Sequence, residues 1–182
     1  NAIAISGTQA EITAALVTTD TLVVAATATV TSSDAMSVAE ANAVDAKTSG
    51  VITATLDTGD TASYSTLTGT GNAYTVTVND ADTTAITATA LSTLGGKTTG
   101  TVTVSNAIAI SGTQAEVTAA LVTTGTLVVA GTATATISDA NTIAIDATDL
   151  SAIGGKTSGA VTVTNAIAIS GTQAEITAAL VT

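Results

Sequence analysis

The sequence lacks the residue types on which most enzymes depend. Cysteine, histidine, proline, tryptophan and phenylalanine are absent from its 182 residues, and the three basic residues are all lysines. Without imidazole or thiolate groups the chain has no histidine base, no sulfur nucleophile and no zinc site of the usual kind. We therefore expect no enzymatic activity.

The chain also has little positive charge. Its 14 acidic residues and three lysines give a formal net charge of −11, so a nucleic acid or an anionic membrane surface would be repelled. The hydrophobic residues are interleaved with threonine, and no run approaches the roughly 18 apolar residues of a transmembrane helix. Neither nucleic-acid binding nor membrane insertion is expected.

What the sequence does contain is repetition. The segment NAIAISGTQAEITAALVT occupies residues 1–18 and again residues 165–182, and residues 106–123 differ from it only by Val117 in place of Ile12. We interpret residues 1–164 as one long repeat and residues 165–182 as the beginning of the next, within a single continuous domain, 1–182. Such a chain either continues or joins another copy of itself end to end, so its expected partner is itself.

Shorter units recur inside the long repeat. Lys-Thr-Ser/Thr-Gly occurs at residues 47–50, 97–100 and 156–159, and variant junctions at residues 17–20 and 122–125 divide the intervals again. The pattern gives about six units of roughly 27 residues each, which is within the range typical of solenoid repeats.

Each unit combines strand and helix signals. Alternating apolar residues and threonine predict strands near residues 101–104, 107–110, 142–145 and 161–164. Capping boxes such as Thr8 with Glu11 and Ser37 with Glu40 predict short helices near residues 9–17 and 38–46, with further boxes at residues 113–116 and 172–175. The Gly-Gly pairs at residues 95–96 and 154–155 predict helix ends in the left-handed conformation. The predicted fold is a β-rich repeat solenoid of stacked coils, with parallel β-strands and short capped helices.

Acidic residues recur directly after predicted strands, and they are candidates for calcium ligands. The candidates are Asp34, Asp80, Asp82 and Asp139, with Asp80 and Asp82 the best pair. The alternative is that these residues only form turns, in which aspartate bonds to the local backbone. The calcium motifs of β-rolls and EF-hands are missing, and no cofactor other than calcium is expected.

Alanine occupies the second predicted strand of the units at alternate positions. If the isoleucines of this strand fill the core, the alanines form a flat apolar surface on the opposite side. We predict that this surface makes lateral contacts between molecules, the alternative being that the short helix covers it. The residues concerned are Ala2, Ala4, Ala107, Ala109, Ala166 and Ala168.

Two stretches carry a resemblance to known proteins: SDAMSVAEANA at residues 33–43 and ALSTLGGKTTG at residues 90–100. They resemble the Ala/Thr/Val/Asp-rich tandem repeats of giant secreted bacterial surface proteins, of the cyanobacterial adhesin-like type. The resemblance implies an extracellular or cell-surface location. It also implies a structural role, in which tandem solenoid repeats build a filament, sheath or stalk.

Two alternative functions stay open at this point. One is an adhesin-type repeat array stabilised by calcium at the acidic residues. The other is ice binding, because the Thr-X-Thr segments at residues 27–29, 101–103 and 162–164 are similar to the strands of ice-binding β-solenoids. Threonine is also a common outward residue of any strand.

Overall fold

The alternating segments form short strands, because β-branched residues fit a pleated surface that is buried on one side. The computed structural model describes residues 3–20 and 23–181. Within these ranges twelve strands are formed: β1 Ala4–Gly7, β2 Thr29–Ser32, β3 Ile52–Thr55, β4 Ala73–Val78, β5 Ala85–Thr87, β6 Val102–Val104, β7 Ala109–Gly112, β8 Val128–Val129, β9 Thr134–Ile137, β10 Ala144–Asp146, β11 Val161–Val163 and β12 Ala168–Ser170.

Seven short helices lie between the strands in the same ranges, and all but the four-residue α3 have eight residues: α1 Gln9–Leu16, α2 Val38–Asp45, α3 Thr61–Tyr64, α4 Ala88–Gly95, α5 Gln114–Leu121, α6 Ala147–Gly154 and α7 Gln173–Leu180. The predicted capping boxes are present at α1, α2, α5 and α7, where a hydroxyl and a glutamate satisfy reciprocal backbone donors. None of the helices in the described ranges could cross a membrane.

The strands pair in parallel and belong to three sheets. One sheet has the order β1-β2-β3-β4-β6-β8, a second has β11-β9-β7-β5, and a third contains only β10 and β12. Most strands bury the side chains of one face, as β6 does with Val102 and Val104, while Thr103 lies between them and is half-buried. The exceptions are β1, β11 and β12, which contain no fully buried residue. The buried strand faces and the apolar sides of the helices form one core.

The predicted repeat solenoid of stacked coils is wrong. The structure is a compact α/β domain with parallel sheets of six, four and two strands and with seven helices in the described residues. The strands of the three repeated segments, β1, β7 and β12, lie in three different sheets. Repetition in the sequence determines each local strand and cap, but the partner of a strand edge depends on distant segments, which local periodicity does not specify.

The predicted left-handed helix ends are also wrong. The cap residues Gly96 and Gly155 have φ of −71° and −70°, which is ordinary right-handed backbone. Glycine is needed one residue earlier for a different reason. A Cβ atom on Gly95 would lie 2.2 Å from the carbonyl oxygen of Thr126, so the backbones of two segments approach each other too closely for any side chain.

Candidate functional site: an uncovered end face

The three copies of the repeated segment begin their helices in the same way. Their helix caps Thr8, Thr113 and Thr172 have φ between −67° and −70° and ψ between 160° and 163°, and each begins an eight-residue helix with a complete capping box. Local sequence therefore determines the helix start in all three places, whereas the residue after the helix is extended only in the last copy, where Val181 has ψ of 99°. The copies differ in what lies beside them.

The middle copy has strand neighbours on both sides. On its preceding side, defined as the edge toward earlier residues, β7 pairs with β5 and Ala109 lies opposite Ala85. On its following side β7 pairs with β9 and Ala109 lies opposite Thr134. The backbone N–H of Thr134 donates to the carbonyl of Ile108 over 3.0 Å. The middle copy thus has a strand neighbour on both of its sides, although Ala115 and Glu116 of its helix stay exposed.

Each outer copy has only one of these two neighbours among the described strands. In the first copy β1 pairs with β2 on its following side, with Ala4 opposite Thr29, an offset of 25 residues that matches Ala109 and Thr134. In the last copy β12 pairs with β10 on its preceding side, with Ala168 opposite Ala144. The following side of the last copy is open.

This difference determines the burial of identical residues. Leu16 and its equivalent Leu121 are 0% and 1% exposed, whereas Leu180 at the same position of the last copy is 59% exposed. The next residue, Val181, is also exposed, and α7 contains no buried residue. The following side of each segment is therefore an apolar surface that a later segment covers in the first two copies and that nothing among the described residues covers in the last.

A polar position shows the same pattern. The first N–H groups of a helix have no partner within the helix. The backbone N–H of Gln9 donates to a carboxylate oxygen of Asp34, and that of Gln114 donates to Asp139 over 2.6 Å. The corresponding N–H of Gln173 has no acceptor among the described residues. An acidic residue from the following segment completes the first two helix caps.

We define the C-terminal face as the open edges of β11 and β12, helix α7 and Gly154. A groove of about 740 Å³ runs across it, and its lining includes the apolar residues Leu150, Val161 and Leu180 together with the hydroxyl side chains of Thr157 and Ser158. Among the described residues no acidic or basic side chain lines this groove. The C-terminal face is therefore an uncharged sheet edge and helix side in which apolar and hydroxyl groups are mixed.

Gly154 on the C-terminal face has no close neighbour. Its equivalent in α4 is Gly95, whose missing Cβ leaves room for the backbone of Thr126. A Cβ on Gly154 would meet no described atom within 4 Å. No described atom therefore requires a glycine at residue 154. A glycine would be required there if another segment packed on the C-terminal face as the segment around Thr126 packs on Gly95.

The opposite end of the molecule exposes apolar residues too. Val23 is 50% exposed and Val24 is 87% exposed. The same residues in the next occurrence of this sequence, Val128 and Val129, form β8 and pair with β6. Val23 and Val24 belong to no strand. Both ends of the chain therefore expose residues whose internal equivalents are paired.

The predicted calcium ligands all accept hydrogen bonds from backbone groups of another segment. Asp34 and Asp139 complete the helix caps already described. Asp80 accepts from the backbone N–H and the hydroxyl of Thr61 over 2.7 and 2.6 Å. No group of three or more acidic side chains within the described ranges is arranged to hold a metal ion. The calcium site stays a prediction.

Asp82 has a role that requires no negative charge. Its carboxylate accepts the backbone N–H of Ala107 over 2.8 Å. At the equivalent position of the next unit the amide oxygen of Asn141 accepts the N–H of Ala166 over 3.0 Å. Sequence reasoning missed this role, although the occurrence of asparagine at the equivalent position was a signal for it.

The alanines predicted to make lateral contacts differ in exposure. Ala4, Ala166 and Ala168 are exposed, whereas Ala107 and Ala109 in the middle copy are half-buried. Ala2 lies outside the described residues. The lateral contact between molecules stays a prediction.

The threonines proposed for ice binding form only short rows. In the six-stranded sheet Thr31 lies opposite Thr53, but the next position of this row is Ala73. Thr77 lies opposite Thr103, and the next position is Val129. In the four-stranded sheet Thr162 lies opposite Thr136, and the next position of that row is Ser111. The described register thus gives rows of two threonines before an alanine, a valine or a serine interrupts them.

Hydrogen bonds at the helix starts lower the pKa of two capping-box glutamates, Glu11 and Glu116. Hydrogen bonds from the backbone and the hydroxyl of Thr8 lower the pKa of Glu11. The backbone of Thr113 lowers the pKa of Glu116, with a further contribution from the hydroxyl of Thr89. These interactions favour the charged form of each carboxyl and therefore a formed helix start.

A second groove lies between α3 and α4, with a volume of about 350 Å³. Tyr64, Leu94 and several threonines line it, and among the described residues Lys97 is the one charged side chain of its lining. No carboxylate from this part of the chain lines the groove beside the lysine. The arrangement contains no acid–base pair.

Comparison of the chain with protein-family models, with curated proteins and with solved structures gives no match.

Proposed function

We propose that this chain is a structural protein whose units join end to end, as part of an extracellular filament, sheath or stalk. The observation that carries the proposal is the repeated segment in three environments. Its apolar following side is covered in the first two copies and open in the last, where Leu180 is 59% exposed. A further unit, in the same chain or in another one, would cover the C-terminal face.

The backbone and chemistry of the face support this function. Unpaired strand edges readily pair with another chain, and burial of exposed apolar side chains such as Leu180 and Val181 beside them is favourable. The C-terminal face combines an apolar helix side with two open strand edges. Bonding through such a face is directional, because the two ends of the molecule differ, and it leads to a linear assembly.

Gly154→Ala tests the proposal, with Gly95→Ala as its matched control. In the separate chain the added methyl at residue 154 meets open space, so the melting temperature should stay within about 2 °C of the original protein. If a second unit covers the face as Thr126 covers Gly95, the same methyl should block assembly. Gly95→Ala should instead destabilise the fold itself, because its Cβ would lie 2.2 Å from a backbone oxygen.

Sedimentation velocity over a range of protein concentrations, with electron microscopy of the concentrated samples, gives the readout. We expect the original chain to form linear oligomers and the Gly154→Ala variant to remain monomeric. A Gly154→Ala variant that assembles as well as the original chain would show that the C-terminal face is not the contact.

A further inference from the structure

The two ends of the molecule are complementary to each other. The contacts that would join them are the same as those that the middle copy of the repeated segment makes with its neighbours. The C-terminal face presents α7 and the open edges of β11 and β12. The other end exposes Val23 and Val24 and begins with a segment identical to residues 165–182. The middle copy shows how one such segment is enclosed between a preceding and a following unit.

We propose that two copies of the chain join by segment exchange, and this inference rests on the proposed function. The last segment of one copy, residues 165–182, takes the place of residues 1–18 on β2 and α2 of the second copy. It keeps its own pairing with β10 and α6. The shared segment then has both neighbours, as residues 106–123 have in the middle of the chain.

We call the contact between residues 165–182 of one copy and β2 and α2 of the second copy the joint. Its hydrogen bonds are inferred from those that the first repeated segment makes with β2 in the structure. There the backbone N–H of Thr29 donates to the carbonyl of Ile3, and that of Ser33 donates to Gly7, over 3.0 and 2.9 Å. In the joint, the same two donors of the second copy bond to the carbonyls of Ile167 and Gly171. The partner-free N–H of Gln173 then donates to the carboxylate of Asp34 of the second copy, as the N–H of Gln9 does within one chain.

The exposed valines acquire a partner in the same arrangement. Inside the chain, Val102 of β6 lies opposite Val128 of β8. The sequence around β11 repeats that of β6, and the sequence around Val23 repeats that of β8. With the shared segment in place, Val23 of the second copy lies opposite Val161 and continues the open edge of β11. Val128, the internal equivalent of Val23, is 1% exposed, whereas Val129, the equivalent of Val24, stays 47% exposed. The exchange thus covers Val23 at one end and Leu180 at the other.

Exchange is favoured over a simple contact between intact ends. Within the described residues the repeated segment never pairs with another copy of itself, whereas its pairing with a following unit occurs twice. The contacts that the second copy loses with its own first segment are restored by an identical sequence. The displaced segment regains chain entropy, and the pairing of β11 with Val23 is new. Exchange of identical elements is an established route to association between protomers.

Cysteine trapping can detect the exchange, because the chain contains no natural cysteine. Ser6 lies opposite Thr31 in the β1–β2 pair, and its equivalent in the last copy is Ser170. Neighbouring strands lie about 4.8 Å apart, within the distance range of a disulfide. A mixture of Ser170→Cys and Thr31→Cys chains should therefore form a mixed disulfide under mild oxidation.

The control mixture replaces Ser170→Cys by Thr93→Cys, an exposed position on α4. We expect about tenfold more mixed disulfide from the joint positions, because cysteines whose Cα atoms are more than about 7 Å apart cannot form the bond. Equal yields from the two mixtures would overturn the exchange.

A covalent lock separates exchange from any other end-to-end contact. In a Ser6→Cys, Thr31→Cys double variant, an internal disulfide holds the first segment on β2. The matched control is Ser111→Cys with Thr136→Cys, which places the same disulfide at the equivalent register of the middle copy. Thermal melts of both oxidised variants establish that they are folded before assembly is compared.

The oxidised first lock should sediment as monomers, assembly should return after reduction, and the control lock should assemble normally throughout. If the oxidised first lock assembles like the original chain, the exchange is overturned while end-to-end assembly stands. If the original chain stays monomeric at every concentration, the proposed function and the exchange are both overturned.

Discussion

The clearest consequence of the structure is that one substitution should have very different effects in identical sequence contexts. Leu16 and Leu180 occupy the same position of the same 18-residue segment, yet they are 0% and 59% exposed. Replacing each in turn by alanine separates the effect of burial from that of local sequence, since the helix sequence and the N-terminal capping box are the same.

The expected magnitudes follow from the buried area. Leucine to alanine removes three carbon groups, worth about 2.4 kcal/mol of transfer free energy when fully buried. For Leu16 a cavity term is added, so the free energy of unfolding should fall by about 3 to 4 kcal/mol. Since Leu180 is 59% exposed, its substitution loses about two-fifths of the transfer term, about 1 kcal/mol.

Urea denaturation monitored by circular dichroism at low protein concentration gives both values. Dilution matters because assembly would cover Leu180 and enlarge its effect. Leu121→Ala, at the enclosed middle copy, serves as a second buried control and should resemble Leu16→Ala. Equal losses of stability for Leu16→Ala and Leu180→Ala in monomeric protein would refute the claim that the last segment is uncovered.

Three further predictions concern the two tyrosines and the effect of acid. The Tyr64 hydroxyl lies 2.6 and 2.8 Å from the carbonyl oxygens of Asp57 and Thr77, so Tyr64→Phe should lower the unfolding free energy by about 1 kcal/mol. The buried Tyr74 hydroxyl has no hydrogen-bond partner among the described residues. Tyr74→Phe should therefore leave the free energy of unfolding unchanged or raise it in the same urea titration. A loss of stability would show that the hydroxyl does have a partner. Hydrogen bonds at the helix cap lower the pKa of Glu116 in the folded protein below its value in the unfolded chain. The resulting contribution to the free energy of unfolding is therefore complete above about pH 4.3 and is lost as the pH falls through the pKa of the folded state. The urea concentration at the midpoint of unfolding, measured from pH 7 to pH 3, should therefore decrease once the pH is below about 4. The decrease should be smaller for Glu116→Gln, and an equal decrease in the two proteins would contradict a contribution from Glu116.

Local signals in the sequence predict local structure well. The capping box of Ser37 and Glu40 correctly predicts a helix near residues 38–46, and the structure forms α2 at Val38–Asp45. Alternation of valine and threonine likewise predicts β6 and β11. A short helix was missed where Asp60 caps α3, because four residues without an apolar pattern give no periodic signal.

Interactions between distant segments could not be predicted in this way. The requirement for Gly95 arises from the backbone of Thr126, more than 30 residues later, whereas the local sequence indicated only a helix end. The role of Asp82 depends on the N–H of Ala107, which parallel pairing places beside it. The division of the strands among three sheets likewise depends on which distant segments pair. The predicted regular solenoid was wrong because local periodicity does not specify this pairing.

The repeated segment finally shows why the open end is a property of position and not of composition. The helix start has the same geometry in all three copies, so an uncovered neighbour does not change it. The helix end does differ, because Val17 and Val122 have ψ of −42° and −43° and Val181 has ψ of 99°. Gly171 of the last copy also has a positive φ of 150°. Binding therefore has to change the backbone at these two places while the helix start is already formed, which limits the cost of ordering the segment. The opposing term is electrostatic, because each chain carries a formal net charge of −11. Apolar contact at the ends must exceed this repulsion, which salt screens over about 10 Å at 0.1 M.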